Sequence, residues 1–528
     1  MMATSTHLFN IGCALKRELR KKGMATTKFR CALAAAAVSF LGALACAQAQ
    51  TPVKGGTLTV GLETDVRGFD TVTGGVYGIS GRTVAGAIQE PLIYGTTERE
   101  YKAQLATSWE PNASRTEWTV KLREGVTFHD GKPFTADAVA KHFNRILDPK
   151  NKARARGFIT AVKGAKAVDA TTVKFTLKHP WEGFVPMLAD RDMAGLMESP
   201  DQSAAGKQNR HPIGTGPYVF DEWRGGDRII VKRNPNYWDK DNAHLDEIVY
   251  RILPDPQTRF QSLRAGDVDV IWTDRASSIH QAEKDKSVVL YKQAGAGSGL
   301  FLLNASAPPL DDARVRAGVL HAMSQEVVNK VLWKGTRPFA EHPLPHKCAM
   351  TNYRGHDTEK AKALFAAYGK PVKLKMIHTT TPRGRELGEI YQQMLKKAGA
   401  QLELIPVDQN ILVKRVFTNK YMMSGWRVAD ANNIGPQLFG LSFSKSPYNI
   451  TRYKSPELDK LAMAMRTATS PEDRSVRECD VIAHINDAAN MRFAPGNRYH
   501  LVMRKNIKGV IPFTFGSAYV WKMWKEKG

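Results

Sequence analysis

The residues that could do chemistry in this 528-residue chain are few and scattered. The sequence holds no HExxH, CxxC or GxSxG motif and no GxxxxGK[ST] phosphate loop. His342 and His346 flank a Pro-Leu-Pro loop and could bind a metal, but a protein metal site generally needs three or more ligands. The glycines of 295–299 have the wrong spacing for a dinucleotide-binding loop. We therefore predict no catalytic residue, no metal ligand and no cofactor, although a secreted enzyme using scattered carboxylates stays an alternative.

Two aromatic residues could contact a solute. Tyr77 lies in the glycine-rich segment 74–81, which could line a cleft but is equally typical of a plain turn. Trp426 could stack on a ligand, although a core tryptophan fits its surroundings as well.

The first 49 residues have the pattern of a secretory signal peptide. Lys28 and Arg30 precede a 14-residue run of apolar and small residues, 31–44, and the small residues of 47–49 predict cleavage after Ala49. The run is too short for a permanent membrane span, which needs about 20 residues. We therefore expect an exported protein.

Two details of this leader need separate interpretation. The basic segment before Met24 lengthens the leader awkwardly, so Met24 could be the true start. Cys46 would be the acceptor of a lipid anchor, but Ala43 stands where a lipoprotein signal has a large aliphatic residue. We do not expect lipid anchoring.

The charge of the chain does not indicate a nucleic-acid partner. The formal net charge is +25, and without the leader 69 basic and 50 acidic residues leave +19. These charges are spread along the chain, and the longest dense basic stretch, 150–156, is short. A solvated surface is the favoured interpretation.

Only two cysteines, Cys348 and Cys479, lie beyond the leader. They could pair in an oxidising compartment, or both could be buried free thiols. Their spacing does not decide between these alternatives, because a disulfide depends on the distance between the two Cα atoms in the fold.

The elements that must position any site follow from periodicity and capping residues. Alternating apolar residues predict strands at 57–62, 117–122, 171–178, 227–234 and 245–254. Capping residues predict helices that begin after Thr135, Asp312 and Ser324. Strands and helices alternate from about 300 to 480, which predicts an α/β lobe.

The segment 117–139, EWTVKLREGVTFHDGKPFTADAV, closely resembles a signature of the extracellular solute-binding proteins of the peptide/nickel type, family 5, which serve ABC importers. Further segments resemble the family in the same order: 214–223, 232–240, 245–255, 263–272, 310–323, 357–369 and 453–461. The resemblance covers essentially the whole chain after Gly55.

The resemblance implies an α/β fold, periplasmic binding protein-like type II, with two lobes, a hinge and an extra inserted domain. Domain I would be discontinuous, domain II would be an insertion, and strands near 295 and 490 would cross between the lobes as the hinge. The implied boundaries are 50–92, 210–295 and 490–528 for domain I, 93–209 for domain II and 296–489 for domain III.

The implied function is capture of a peptide or another small polar, carboxylate-bearing solute between two closing lobes. A monomer would then deliver the solute to the permease subunits of an ABC transporter in the inner membrane. Within the family, a metal chelate, an opine, a sugar or haem stay alternatives as the ligand.

The resemblance also implies site residues. In peptide-binding members an Asp meets the ligand's α-amino group and an Arg meets its carboxylate, because both ends of a desolvated zwitterion need partners. Here the family's Gly-Trp-x-x-Asp is shifted, since Ala429 occupies the acidic position and Asp430 follows it. Asp430 could bind the amino group or simply cap a turn. Arg385, with Arg383 as an alternative, occupies the position of the carboxylate-binding Arg, or is a solvated residue of a first helical turn.

Overall fold

A computed structural model gives the fold of the chain. The residues described are 52–73, 76, 78–95, 100–157, 159–181, 183–189, 194–292, 298–336, 348, 353–428, 435–468, 470–496, 500–511 and 519–526. The chain divides into two units, 1–52 and 53–528, and the fold below is that of the second. No helix in these ranges combines the length and the apolar character needed to cross a membrane.

The secondary structure mixes strands and helices along the whole described chain. The strands are β1 (Thr57–Leu62), β2 (Ile93–Gly95), β3 (Tyr101–Ala103), β4 (Ala106–Pro111), β5 (Glu117–Leu122), β6 (Val162–Ala167), β7 (Thr172–Leu177), β8 (Tyr218–Arg224), β9 (Arg228–Arg233), β10 (Glu247–Ile252), β11 (Val270–Thr273), β12 (Val288–Lys292), β13 (Ser298–Leu303), β14 (Lys373–Thr379), β15 (Gln401–Val407), β16 (Met423–Val428), β17 (Met491–Gly496), β18 (His500–Arg504), β19 (Ile507–Lys508) and β20 (Trp524–Lys525). The α-helices are α1 (Ile79–Ile88), α2 (Ala136–Leu147), α3 (Phe184–Leu188), α4 (Pro200–Ala204), α5 (Pro256–Ala265), α6 (Ala276–Lys284), α7 (Ala313–Ala322), α8 (Gln325–Val331), α9 (Thr358–Tyr368), α10 (Pro382–Lys397), α11 (Gln409–Phe417), α12 (Gly435–Ser442), α13 (Pro456–Arg466) and α14 (Pro471–Ala488).

The first lobe, as we call it, is built on a seven-stranded sheet with the order β12-β18-β11-β1-β10-β9-β8. The predicted strand at 57–62 is confirmed as β1, and Leu58, Val60 and Leu62 are buried. β1 runs parallel to both of its neighbours, β10 and β11. These three parallel strands therefore end at the same edge of the sheet.

The inserted sheet, as we call it, has four antiparallel strands in the order β4-β5-β7-β6. Helix α2 packs against it and begins as predicted, because the Thr135 side chain accepts a hydrogen bond from the Ala138 N–H at 3.3 Å. The apolar face of α2 buries Val139, Phe143 and Ile146.

A buried ion cluster ties α2 to the rest of the chain. Arg145 contacts Asp70 at 2.8 Å and Glu198 at 2.6 Å. Burial, together with the negative charge of Asp70, raises the pKa of Glu198 to about 7, although Arg145 opposes this shift. One guanidinium therefore serves two buried carboxyl groups.

The second lobe, as we call it, is built on a five-stranded sheet with the order β15-β14-β16-β13-β17. β14 is parallel to β15 and β16, and α10 connects β14 to β15, so the predicted βαβ order is confirmed. The predicted caps of α7 and α8 are also confirmed, since Asp312 and Ser324 accept hydrogen bonds from the first turns of these helices.

The chain passes between the two lobe sheets twice, from β12 to β13 and from β17 to β18. β17 pairs with β13 in the second lobe and buries Met491 and Phe493, so the second of these passages follows Gly496. The division into three domains with the boundaries given above stays a prediction.

Contacts decide the state of the two cysteines, which the sequence left open, and explain one glycine of segment 214–218. Cys348 and Cys479 form a disulfide, with their Cα atoms 5.5 Å apart. In the Gly-Thr-Gly-Pro-Tyr loop, a Cβ on Gly214 would overlap the carbonyl oxygen of Ile88, so the glycine is needed for close packing on α1.

The same loop satisfies a buried carboxylate. Glu90 accepts hydrogen bonds from Thr215 at 2.9 Å, from the Tyr237 hydroxyl at 2.8 Å and from the Trp238 indole at 3.2 Å. Burial raises the pKa of Glu90 above its usual value, and these hydrogen bonds oppose the rise. The segments around residues 214–218 and 234–238 therefore both pack around Glu90 and provide its hydrogen-bond donors.

Candidate functional site

Charged side chains gather where the parallel strands of the first lobe end. This edge is where open α/β sheets usually bind ligands. Glu63 follows β1 and Asp274 follows β11. Arg259, in α5, is buried beside them and donates to the carbonyl oxygens of Leu253 and Pro254. Burial lowers the pKa of Arg259, and the charges of Glu63 and Asp274 offset only part of this shift.

The corresponding edge of the second lobe carries the start of α10. Thr381 caps this helix by accepting a hydrogen bond from the Gly384 N–H at 3.2 Å, and its hydroxyl lies 2.7 Å from that of Thr379 at the end of β14. A Cβ on Gly384 would overlap Thr379, so the turn from strand to helix requires glycine. The tight turn brings the first turn of a 16-residue helix to the strand ends.

Two ion pairs join these edges. Arg383 Nη1 lies 2.5 Å from Asp274 Oδ2, and Arg275 Nη2 lies 2.9 Å from Glu386 Oε1. We call these four residues the lobe seam. Each pair joins residues more than 100 positions apart, since the separations are 109 and 111. The side chain of Asp274 is 5% exposed and that of Arg383 is 21% exposed.

The electrostatics of Arg383 show that the seam is complementary. Burial alone would lower the pKa of this guanidinium, but the attraction of Asp274 and Glu63 outweighs it and the pKa is raised. Asp274 and Glu63 therefore stabilise the charged form of Arg383 in this position.

The structure separates the two arginines predicted to bind a carboxylate. Arg383 lies in the seam on the same face of α10 as Glu386, three residues on. Arg385 is exposed, and its guanidinium has no partner in the described part of the chain. The two positions lie about 200° apart around the helix axis. The structure therefore pairs Arg383 with Asp274 and leaves Arg385 exposed.

Of the other predicted site residues, the structure describes only Trp426, which does not lie in the seam. Trp426 is buried, 9% exposed, in the hydrophobic core, where its ring centroid lies 6.0 Å from that of Phe417. Asp430 and Tyr77 lie outside the described residues. The prediction that these residues bind a ligand stays a prediction.

Sequence reasoning missed Asp274, Arg275 and Glu386. A signal was present, because an Asp-Arg pair directly follows the strand of the family-like segment 263–272, where a ligand edge is expected. Their partners could not be found from the sequence, since each partner lies on the other lobe.

The described residues do not support a metal centre. Nowhere in these ranges do three or more His, Cys, Asp and Glu side chains form a group that could hold a metal ion. His342 and His346 lie outside the described residues.

Comparisons with known proteins support this architecture. The family model "Bacterial extracellular solute-binding proteins, family 5 Middle" matches residues 100–449. The glutathione-binding protein GsiB of Pectobacterium atrosepticum is 27% identical over 415 residues, which are 75% of this chain and 80% of that protein.

Solved structures share the fold. The ABC transporter-associated periplasmic binding protein DppA from Helicobacter pylori, in complex with peptide STSA, has a TM-score of 0.81 and 25% identity over 90% of this chain and 99% of its own. NikZ from Campylobacter jejuni, in complex with Ni(L-His), has a TM-score of 0.77 and 19% identity over 89% and 99%. The fold is that of type II periplasmic binding proteins. With a family match over well more than half of its length, this chain belongs to the extracellular solute-binding proteins of family 5, the binding components of ABC importers.

Proposed function

We propose that this protein captures a peptide or another small polar, carboxylate-bearing solute between its lobes and delivers it to the permease of an ABC importer. The observation that carries the proposal is the lobe seam, where charged side chains from both lobes meet at the ends of parallel strands. A ligand held at this place contacts both lobes and so favours their closure.

The seam is suited to reversible closure. Its four side chains are charged, and each would be hydrated again when the lobes separate. For such largely buried pairs, solvation of the separated charges offsets most of the attraction between them. The seam therefore aligns the lobes without locking them, and ligand binding decides the population of the closed state.

Arg385 is our proposed partner for the solute's carboxylate. It is exposed in the first turn of α10, where the helix dipole also favours negative charge. A guanidinium suits a carboxylate because it can donate two parallel hydrogen bonds. Arg383 is the alternative, but a solute would have to compete with Asp274 for it. Asp430 is the proposed partner for an amino group.

The cellular setting follows from the same proposal. We propose a monomeric, non-enzymatic binding protein of the periplasm, exported by the signal peptide of residues 1–49 and docking on permease subunits of the inner membrane. The names of its relatives as glutathione-binding and peptide-complexed proteins support this setting. No nucleic-acid partner is proposed.

A ligand screen tests the proposal. Purified protein would be tested by thermal shift with glutathione, with short peptides, with an opine and with a nickel–histidine complex, while mass spectrometry identifies any co-purified solute. We expect a saturable rise of Tm with a carboxylate-bearing solute that is recovered intact. Recovery of a converted product would show an enzyme, and the absence of a response to all of these carboxylate-bearing solutes would remove the proposed ligand class.

A further inference from the structure

A second arginine, remote in sequence from the lobe seam, is buried without a carboxylate. Arg466 is the last residue of α13 and is 7% exposed. Its Nε and Nη2 atoms have no hydrogen-bond partner in the described part of the chain. Burial lowers the pKa of Arg466 to about 10, and no neighbouring charge of the described residues opposes the shift.

The neighbours of Arg466 are aromatic rings. Its guanidinium carbon lies 4.1 Å from the ring centroid of Phe439 and 5.7 Å from that of Trp181. Cation–π contact offsets part of the cost of burying the charge. It does not provide acceptors for the N–H groups, which lie in the plane of the guanidinium. His179 lies close enough for Arg466 to lower its pKa further, after the effect of burial.

Arg466 lines a small pocket. One wall, Trp181 and Gly183, belongs to the segment that follows the inserted sheet, and the opposite wall comes from α12 and α13. Arg474 also lines the pocket, but its Nε lies 3.7 Å from the carboxylate of Glu478. Arg466 is thus the pocket's cation without an acidic partner.

We propose that this pocket is an anion site that binds a carboxylate group. The Nε and Nη2 atoms form the edge of a guanidinium that holds a carboxylate through two parallel hydrogen bonds. The apolar and aromatic walls suit a carboxylate attached to a small hydrocarbon group better than a fully hydrated phosphate. The carboxylate could belong to a free small acid or to the solute captured by the lobes.

Formate and acetate titrations of the full-length protein test the site. Tm and calorimetric heat would be measured at constant ionic strength, with chloride replaced by the carboxylate. In the wild-type protein we expect a saturable rise of Tm, and in Arg466→Met at least a tenfold weaker affinity. Arg477→Met is the matched control, because Arg477 lies on α14, pairs with Asp473 and does not line the pocket.

Two further results decide the matter. Without carboxylate, Arg466→Met should be as stable as the wild-type protein, because it removes a buried charge that lacks a partner. Arg466→Lys keeps the charge without the two-bond edge, so it should fold and respond weakly to acetate. Equal responses of the wild-type protein and Arg466→Met would overturn the proposal, as would a loss of Tm in Arg466→Met larger than in the control.

Competition between acetate and the captured solute shows which molecule supplies the carboxylate. A solute identified in the ligand screen that abolishes the acetate response would show that its own carboxylate occupies the pocket. An unchanged acetate response would assign the site to a free acid. Both results support the site, and neither depends on Arg385, so this proposal and that of solute capture at the seam can fail separately.

Discussion

Two arginines of this protein, the partly buried Arg383 in the lobe seam and the buried Arg466 in the pocket, differ in what surrounds them. Arg383 lies 2.5 Å from Asp274, and its pKa is raised despite burial. Arg466 faces aromatic rings, and burial lowers its pKa to about 10. The first arginine is stabilised by the fold itself, whereas the second gains a carboxylate only from a ligand. Pairing, rather than burial, distinguishes a structural charge from a binding charge.

Arg145 extends the comparison, because it contacts two carboxyl groups instead of one or none. Burial, together with the charge of Asp70, raises the pKa of Glu198 to about 7, although Arg145 opposes this shift. The three arginines therefore predict three different responses to substitution and to pH.

The largest effect should come from the disulfide, which fixes α14 near the pocket and has no counterpart at the seam. Cys348 and Cys479 are 131 residues apart, and cross-links over such loops stabilise proteins by about 4 kcal/mol. Cys479→Ser should lower the free energy of unfolding by roughly this amount in urea denaturation and weaken the acetate response. An unchanged stability, or a peptide map without the cross-link, would contradict the pairing.

The next effect should come from Arg383→Met. It leaves Asp274 buried beside Glu63 without its closest cation, and breaking such pairs costs about 3 kcal/mol. The same substitution at Arg466 should change the free energy of unfolding by less than about 1 kcal/mol when no carboxylate is present. Urea denaturation of both variants checks the contrast, and equal losses would erase the distinction drawn here. Adding Asp274→Asn to Arg383→Met should restore part of the loss.

Glu198→Gln should change the pH dependence of stability. The pKa of Glu198 rises from 4.5 to about 7 on folding, so the folded chain binds a proton that the unfolded chain releases between these values. The stability from this proton is complete below about pH 4.5 and is lost as the pH rises through 7. Relative to wild type, Glu198→Gln should gain up to about 2 kcal/mol between pH 5 and 8. A difference that does not vary with pH would show that Glu198 is ionised throughout.

The sequence predicts what depends on neighbouring residues. Strand alternation located β1, and Thr135, Asp312 and Ser324 were correctly identified as helix caps, because both signals act within one turn or one strand. The family resemblance supplied the lobes, which periodicity alone does not show.

The sequence does not predict what depends on folding distant segments together. The second passage between the lobe sheets follows Gly496 because β17 completes the second sheet, and the disulfide joins residues whose spacing was uninformative. The seam was missed because Asp274 and Arg383 meet only when the lobes do. The isolation of Arg466 became visible only from its neighbours in the fold.

The most direct test of solute capture is calorimetric binding of the solute identified in the ligand screen to wild-type protein, Arg385→Ala and Lys396→Ala. Lys396 is an exposed cation at the far end of the same helix and serves as the matched control. Loss of a hydrogen-bonded charge pair costs about 1.5–3 kcal/mol, so Arg385→Ala should bind roughly 10- to 100-fold more weakly, with the solute intact. Wild-type affinity in Arg385→Ala, or release of a converted solute, would contradict the account.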